Sequence, residues 1–287
     1  MDHCDATNGL ANKFRLVRRM RDADLIFVQR RLLPRWLIRS SKTPLVFDFD
    51  DAIFCHSDGQ RSSSREKKFA AMTERASLLF AGNGYLAGYG GERAMVIPTL
   101  VDAGRYQVSS QPSGTLSLIW IGSRSTSKYL DFFRPVLASM IREGLDFTLN
   151  VVADFDFYQD GVRVNNITWT SENEVRALSR AHIGIAPMLE NNWTLGKCAF
   201  KVLQYMAAGL PVISSPVGAN KDVIVSNETG LLAESADEWI TAVRELQDPE
   251  RRLLMGKNGR ERVLSHYSEP VIVDAMVSAL SDRGLIS

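Results

Sequence analysis

With 287 residues, of which 45% are apolar, the chain is long for one hydrophobic core and comfortable for two. A net charge of +1, with both signs running through the whole chain, gives no reason to expect nucleic acid as a partner. Three widely spaced cysteines (Cys4, Cys55 and Cys198) form neither a disulfide framework nor a zinc pattern, and fit a reducing compartment.

The start, Met1-Asp2-His3-Cys4-Asp5, lacks the apolar centre of a signal peptide, and no run of about 18 apolar residues is present to span a membrane. These features suggest a cytoplasmic protein. Residues 14–21 (Phe-Arg-Leu-Val-Arg-Arg-Met-Arg) are basic and partly amphipathic. They read as an ordinary solvated helix or as a peripheral contact at the inner face of a membrane.

Residues 24–29 read as a buried strand, 32–40 as a short helix and 44–49 as a second strand. Residues 65–76 have helical character, and 78–81 and 95–98 are two more strands. Residues 107–114 (Gln-Val-Ser-Ser-Gln-Pro-Ser-Gly) are polar and aperiodic, a linker signature. The expected division is therefore residues 1–112 and 113–287, with the last helix free to pack back on the first domain. After the linker, strands are expected at 116–121, 147–152, 183–187 and 211–214. Helices are expected at 127–143, 173–181, 198–208, 237–247, 250–265 and 271–280. Glu172 and Glu174 suit the positive end of a helix, and Gly209 with Pro211 suits a helix stop.

Apolar strands alternating with helices argue for parallel βαβ units covered on both faces. Two such units make two Rossmann-like domains facing a cleft. Ligands in such sheets bind beyond the carboxyl ends of the strands, so strand-to-helix loops are where chemistry is expected.

The first such loop is Gly122-Ser123-Arg124-Ser125-Thr126-Ser127-Lys128. A glycine, several hydroxyls, two cations and free N–H groups at a helix start suit a phosphate; a plain helix cap is the alternative. The second follows residues 183–187. Residues 188–195 include Glu190, Asn191, Asn192 and Trp193, and Gly196-Lys197-Cys198-Ala199-Phe200-Lys201 then opens a helix. Two lysines one turn apart at a helix start oppose the dipole unless an anion sits there, and a diphosphate is the natural one. Gln204 projects from the same side and can bond a hydroxylated ligand or serve as an ordinary polar helix residue. Residues 214–220 form a third loop of either cleft-lining or simple turn character.

In the first half, Asp48-Phe49-Asp50-Asp51 ends a strand. Its carboxylates suit a metal, a general base or a cap; a metal is disfavoured because the phosphate-type loops lie in the other half. His56 follows as a candidate acid–base group, and Asn83 ends another strand.

Across residues 116–268 the chain resembles the GT-B glycosyltransferases of family 4, the glycosyl transferases group 1. The resemblance rests on Phe200-Lys201-Val202-Leu203-Gln204-Tyr205-Met206-Ala207-Ala208-Gly209-Leu210-Pro211-Val212-Ile213-Ser214-Ser215. It continues through Gly218, Asp222-Val223-Ile224, Gly230-Leu231-Leu232 and Met255-Gly256-x-x-Gly259-Arg260-x-Arg262-Val263. The first half is similar to a subgroup through Phe47-Asp48-Phe49-Asp50-Asp51-Ala52-Ile53, Ala81-Gly82-Asn83-x-Tyr85-Leu86-Ala87 and Val96-Ile97-Pro98.

The resemblance implies an α/β fold of two Rossmann-like domains with parallel sheets, the N-terminal one lacking its first units. It implies transfer of a sugar from a nucleotide diphospho-sugar of UDP or GDP type to a glycan, lipid-linked or small-molecule acceptor, with retention of configuration and with neither metal nor further cofactor. Gly122, Ser123, Lys128, Lys197 and the backbone near Ala199 would meet the diphosphate, and Gln204 would sit near the ribose. Arg124, Thr126, Trp193, Gly196, Phe200 and Lys201 complete the expected donor set, and Asp50, Asp51 or His56 would orient the acceptor. The family carries two glutamates eight apart where this chain has Gly196 and Gln204. A catalytically inactive sugar-nucleotide-binding or assembly protein and a GT-B epimerase are the rival readings. The oligomeric state, monomer or homo-oligomer, stays open.

Overall fold

A computed structural model describes residues 10–286; Cys4 and the polar start lie outside them. The described chain forms two compact units. One holds residues 10–98, Asn191–Lys197 and 274–286, and the other holds Thr99–Glu190 and Cys198–Val273.

In the first unit the elements are α1 (Leu10–Asp22), β1 (Ile26–Gln29), α2 (Arg35–Ile38), β2 (Leu45–Phe49), α3 (Ser63–Arg75), β3 (Leu78–Ala81), α4 (Gly84–Ala87) and β4 (Ala94–Val96). The four strands are parallel in the order β1-β2-β3-β4. All of β3 and four of the five residues of β2 are buried, as continuous apolar strands covered on both faces must be. On α3, Phe69, Met72 and Thr73 fall at helical spacing on its buried side. The Phe69 ring meets Phe49 edge-on at 5.1 Å and Phe54 at 5.0 Å. Each such pair adds about 1 kcal/mol beyond the area it buries.

The second unit contains β5 (Leu116–Ile121), α5 (Ser127–Arg142), β6 (Phe147–Ala153), β7 (Arg163–Thr168), α6 (Ser171–Leu178) and β8 (Ile183–Ala186). The short α7 (Asn192–Leu195) belongs to the first unit, and the chain then resumes in the second with α8 (Phe200–Ala207), β9 (Val212–Ser214), α9 (Asn220–Val223), β10 (Gly230–Leu232), α10 (Ala236–Glu245) and α11 (Pro249–His266). The last helix, α12 (Glu269–Asp282), starts with the second unit and from Asp274 onward is counted with the first, where Arg283 Nη2 donates to the Glu92 carbonyl at 2.9 Å.

Six parallel strands run in the order β10-β9-β8-β5-β6-β7. Side chains of β5 alternate between two cores. Ile119 and Ile121 join α8 and Val263 of α11 on one face, while Leu118 and Trp120 join α5 and α10 on the other. The sequence Leu-Ser-Leu-Ile-Trp-Ile is therefore apolar nearly throughout. The edge strand β7, Arg-Val-Asn-Asn-Ile-Thr, has no fully buried residue. It carries no apolar run, so periodicity did not reveal it; polar composition suits an exposed edge.

Residues 107–111, polar as a linker would be, are hydrogen-bonded onto the second unit. Ser109 N–H donates to the Ala208 carbonyl at 2.9 Å, its hydroxyl to the Ala181 carbonyl at 2.6 Å, and Ser110 N–H to the Ser179 carbonyl at 3.0 Å. Gly209 takes φ +68° just past the C-cap Ala208 of α8, the left-handed stop that a glycine makes at low cost.

Candidate functional site

The order of the second sheet reverses direction at β5, which lies between β8 and β6. At such a switch point the loops leaving neighbouring strands diverge and open a crevice. Two loops expected to carry chemistry, those after β5 and after β8, therefore border one crevice by topology alone.

The loop after β5 is well ordered by its own groups. Ser123 N–H donates to Thr126 Oγ1 at 3.0 Å, Thr126 N–H donates to the Ser123 carbonyl at 2.8 Å, and the Ser123 and Ser125 hydroxyls lie 2.8 Å apart. Arg124 N–H donates to Asp154 Oδ1 at 2.6 Å. A helix start thus draws an anionic oxygen, as its dipole requires, and the cap and anion readings both have structural content. Lys128 Nζ lies 5.5 Å from the centre of the Tyr129 ring. Gly122 is obligatory, because a Cβ there would fall 2.0 Å from the Trp120 ring.

Helix α8 was expected from residue 198 and begins at Phe200. Ala199 has φ +56°, a left-handed conformation that breaks the helical path and sets the first turn at residues 200–203. Lys197 consequently lies three residues before the helix, so the dipole argument applies to Lys201 alone. Lys201 Nζ lies 4.2 Å from the centre of the Trp120 ring, and Phe200 beside it is 47% exposed. Tyr205 pins α8 over the crevice: its hydroxyl accepts from Ile121 N–H at 2.9 Å, at the end of β5. A Cβ on Gly184 of β8 would lie 2.4 Å from the Tyr205 ring, so that glycine makes room for it.

Gln204, read as a ligand-facing residue, is buried. Its Nε2 donates to Glu174 Oε1 and to Tyr106 Oη, both at 3.0 Å. Glu174 is buried too and also receives Trp169 Nε1 at 2.8 Å, Tyr106 Oη at 3.1 Å and Arg105 Nη2 at 3.2 Å. A carboxylate with four donors is stable away from water. Burial pushes the Tyr106 hydroxyl pKa up, which keeps it protonated as a donor. Sequence reasoning placed Glu174 at the helix start and missed this buried role, because nothing local connects it to Gln204.

The remaining candidates lie in the first unit, at the carboxyl edge of its sheet. Asp48 lies in β2, Asp50 and Asp51 follow it, and Arg30 follows β1 with φ +53°. Arg30 Nε pairs with Asp50 Oδ1 at 2.8 Å, and its Nη2 with Asp51 Oδ2 at 2.5 Å. The other oxygen of Asp51 accepts from Lys197 Nζ at 2.7 Å, and that ammonium lies 4.7 Å from the centre of the Trp193 ring. Asn83 Nδ2 donates to the Leu195 and Lys197 carbonyls at 3.1 and 3.0 Å. Asp51, Asn83 and Lys197 thereby seat residues 191–197. Gly196 is buried there, and a Cβ on it would lie 2.6 Å from Ala52 N. Arg30 escaped sequence reasoning because a single arginine after a strand carries no motif.

Among the described residues, no group of three His, Cys, Asp or Glu has metal-holding geometry. His56 is exposed in a turn, its N–H donating to the Gln60 carbonyl at 2.9 Å. Nearby, a cavity of about 500 Å³ is lined by Phe54, Cys55, Phe69 and Tyr89, with Arg61 and Glu66 also on its wall.

Burial raises the Asp48 pKa from 3.8 to about 6, against the hydrogen bond from Gln29 Nε2 at 3.0 Å, which lowers it. Burial likewise holds Asp50 above its ordinary value, against the nearby Arg30. A raised folded-state value means that the native state holds this proton more tightly than the unfolded chain. Stability from Asp48 is then present below pH 4 and is lost as pH rises through about 6. Asp48→Asn keeps an acceptor for Gln29 and removes the charge. It is expected to stabilise the protein by about 1 kcal/mol at pH 7.5, after discounting for partial solvent screening, and to change nothing near pH 4. Urea unfolding at both pH values measures this; an equal effect at both would refute the burial account.

Residues 115–248 match the family described as Glycosyl transferases group 1. No curated protein sequence matches the chain. Among solved structures, the chain is similar to sucrose-phosphate synthase from Thermosynechococcus elongatus, with 18% identity and TM-score 0.73, over 94% of this chain and 76% of that one. A glycosyltransferase from Rickettsia africae is 12% identical, with TM-score 0.73, over 100% and 85% of the two chains. HepE from Anabaena, solved with UDP and glucose, is 14% identical, with TM-score 0.72, over 95% and 82%. The chain therefore has the GT-B fold of the group 1 glycosyl transferases, and residues 115–248 carry the family match.

Proposed function

We propose that this protein transfers a sugar from a nucleotide diphospho-sugar to an acceptor, with the donor held by the second unit. The observation that carries this reading is the crevice at the β5–β8 switch point, bordered by the Gly122–Lys128 loop and by the start of α8 with Lys201. Nucleotides bind at such points because helix N–H groups and cations converge on the phosphates. UDP bound to HepE, a protein of the same fold, supports a nucleoside diphosphate as the ligand class.

In this reading Lys201, Lys128 and the first-turn N–H groups of α8 stabilise the charge that develops on the leaving diphosphate. Phe200, the Gly122 turn and the Ser123 and Thr126 hydroxyls border the same ligand. Retention of the donor's configuration is the outcome expected from the family. Asp50, Asp51 or His56 orients the acceptor hydroxyl in this reading, with both oxygens of Asp51 engaged by Lys197 and Arg30 and Asp50 paired with Arg30 as well. The aromatic cavity beside Phe54 and Tyr89 suits an acceptor with a ring to stack.

Nucleoside diphosphate release across a panel of UDP- and GDP-sugars, with glycan, lipid-linked and small-molecule acceptors, tests the reading. Acceptor-dependent release is expected. Tight nucleotide binding with no release across the panel would instead support a binding or assembly protein.

A further inference from the structure

Residues 10–42 hold ten Lys and Arg against two acidic residues, Asp22 and Asp24, a net +8 in a chain whose total is +1. All of this charge belongs to the first unit, where Arg30 is offset by Asp50 and Asp51 and the other cations carry the excess. On α1, Phe14, Arg15 and Arg18 are exposed while Met20 is buried, and Phe14 is 74% exposed. On α2, Leu37 and Ile38 anchor the helix in the core, leaving Arg35, Trp36 and Arg39 outside, with Trp36 51% exposed. The two helices are tied at their ends. The Met20 carbonyl accepts from Ser41 Oγ at 3.0 Å and Thr43 Oγ1 at 2.8 Å, and Arg21 Nε donates to the Ser40 carbonyl at 2.8 Å.

A dense positive surface that also exposes a tryptophan and a phenylalanine matches an anionic bilayer in two ways at once. Arginines pair with lipid phosphates, and amphipathic rings settle at headgroup depth. We propose that α1 and α2 form a docking surface for an anionic membrane, with Trp36 and Phe14 entering the headgroup layer. This inference does not depend on the proposed sugar transfer, and its test uses no nucleotide.

Co-sedimentation of the full chain with phosphatidylcholine vesicles, alone or with roughly 30% phosphatidylglycerol, measures the contact. Binding is expected only to the anionic vesicles, and is expected to fall as salt shortens the Debye length. Among the described residues, the side chains of Arg15, Arg18, Arg35 and Arg39 make no backbone hydrogen bond of the kind Arg21 makes, and the pairs Arg18–Asp22 at 3.6 Å and Arg35–Glu74 at 3.8 Å are exposed, so joint change of the four to Gln should leave the fold intact. That variant is expected to lose about 100-fold in partitioning, and Trp36→Ser alone about 10-fold. Unchanged circular dichroism spectra and melting temperatures would show that both variants fold. Equal sedimentation with neutral vesicles, retained binding by the folded four-site variant, or equally tight binding to a DNA duplex would each overturn the lipid assignment.

Discussion

Gln204→Glu is expected to destabilise the protein by about 3 kcal/mol at pH 7, read as a lower urea midpoint with an unchanged slope. The family resemblance sets a glutamate at this position, so the change looks conservative from the sequence. In this fold the amide Nε2 donates to Glu174 Oε1 at 3.0 Å, and both residues are buried. A carboxylate in its place removes a donor and sets two negative groups against each other in a dry site. The exchange variant, Glu174→Gln with Gln204→Glu, restores one donor and one carboxylate across the same contact. Because Arg105 and Trp169 then face an amide in place of the carboxylate, it is expected to recover only part of the loss, which a general packing defect would not do. If Gln204→Glu alone leaves the midpoint unchanged, the buried pair is not what holds Gln204 there.

The second large effect concerns the other departure from the family pattern. Gly196→Ala is expected to cost about 2 kcal/mol, and Gly196→Glu more. The added Cβ would meet Ala52 N at 2.6 Å and Ala52 Cβ at 2.7 Å. The nearer of these is backbone and cannot rotate away, so residues 191–197 must lift. Lifting them breaks the Lys197–Asp51 contact at 2.7 Å and the two Asn83 bonds. Asp51 then keeps only Arg30. Proteolysis within 191–197 should become faster in the variant, because contacts that seat the segment are lost. Unchanged stability and unchanged cleavage would mean that the close approach to Ala52 is not maintained in solution.

Both departures thus have causes that lie far away in sequence. Gln204 answers to Glu174, thirty residues earlier, and Gly196 answers to Ala52. A single sequence shows neither neighbour. The alternation of apolar strands and helices was enough to expect parallel sheets, since strands such as Leu-Ser-Leu-Ile-Trp-Ile must be covered on both faces. The stop at Gly209 was legible because a left-handed residue after a helix favours glycine. The start of α8 was not, because Ala199 adopts φ +56° without a glycine to announce it. That two-residue difference moved Lys197 from the position just before the helix to three residues before it, where Asp51 serves as its anion, and left Lys201 as the lysine of the first turn.

Thermal shift with UDP and GDP, on the native chain and on Lys201→Ala, tests the switch-point crevice most directly. One nucleoside diphosphate should raise the melting temperature of the native chain. Lys201→Ala should weaken that ligand about 10-fold or more, as loss of a charge-assisted contact implies, while its melting temperature without ligand stays near that of the native chain. A nucleotide-induced shift of the same size and concentration dependence in Lys201→Ala would contradict the placement of the diphosphate at the start of α8.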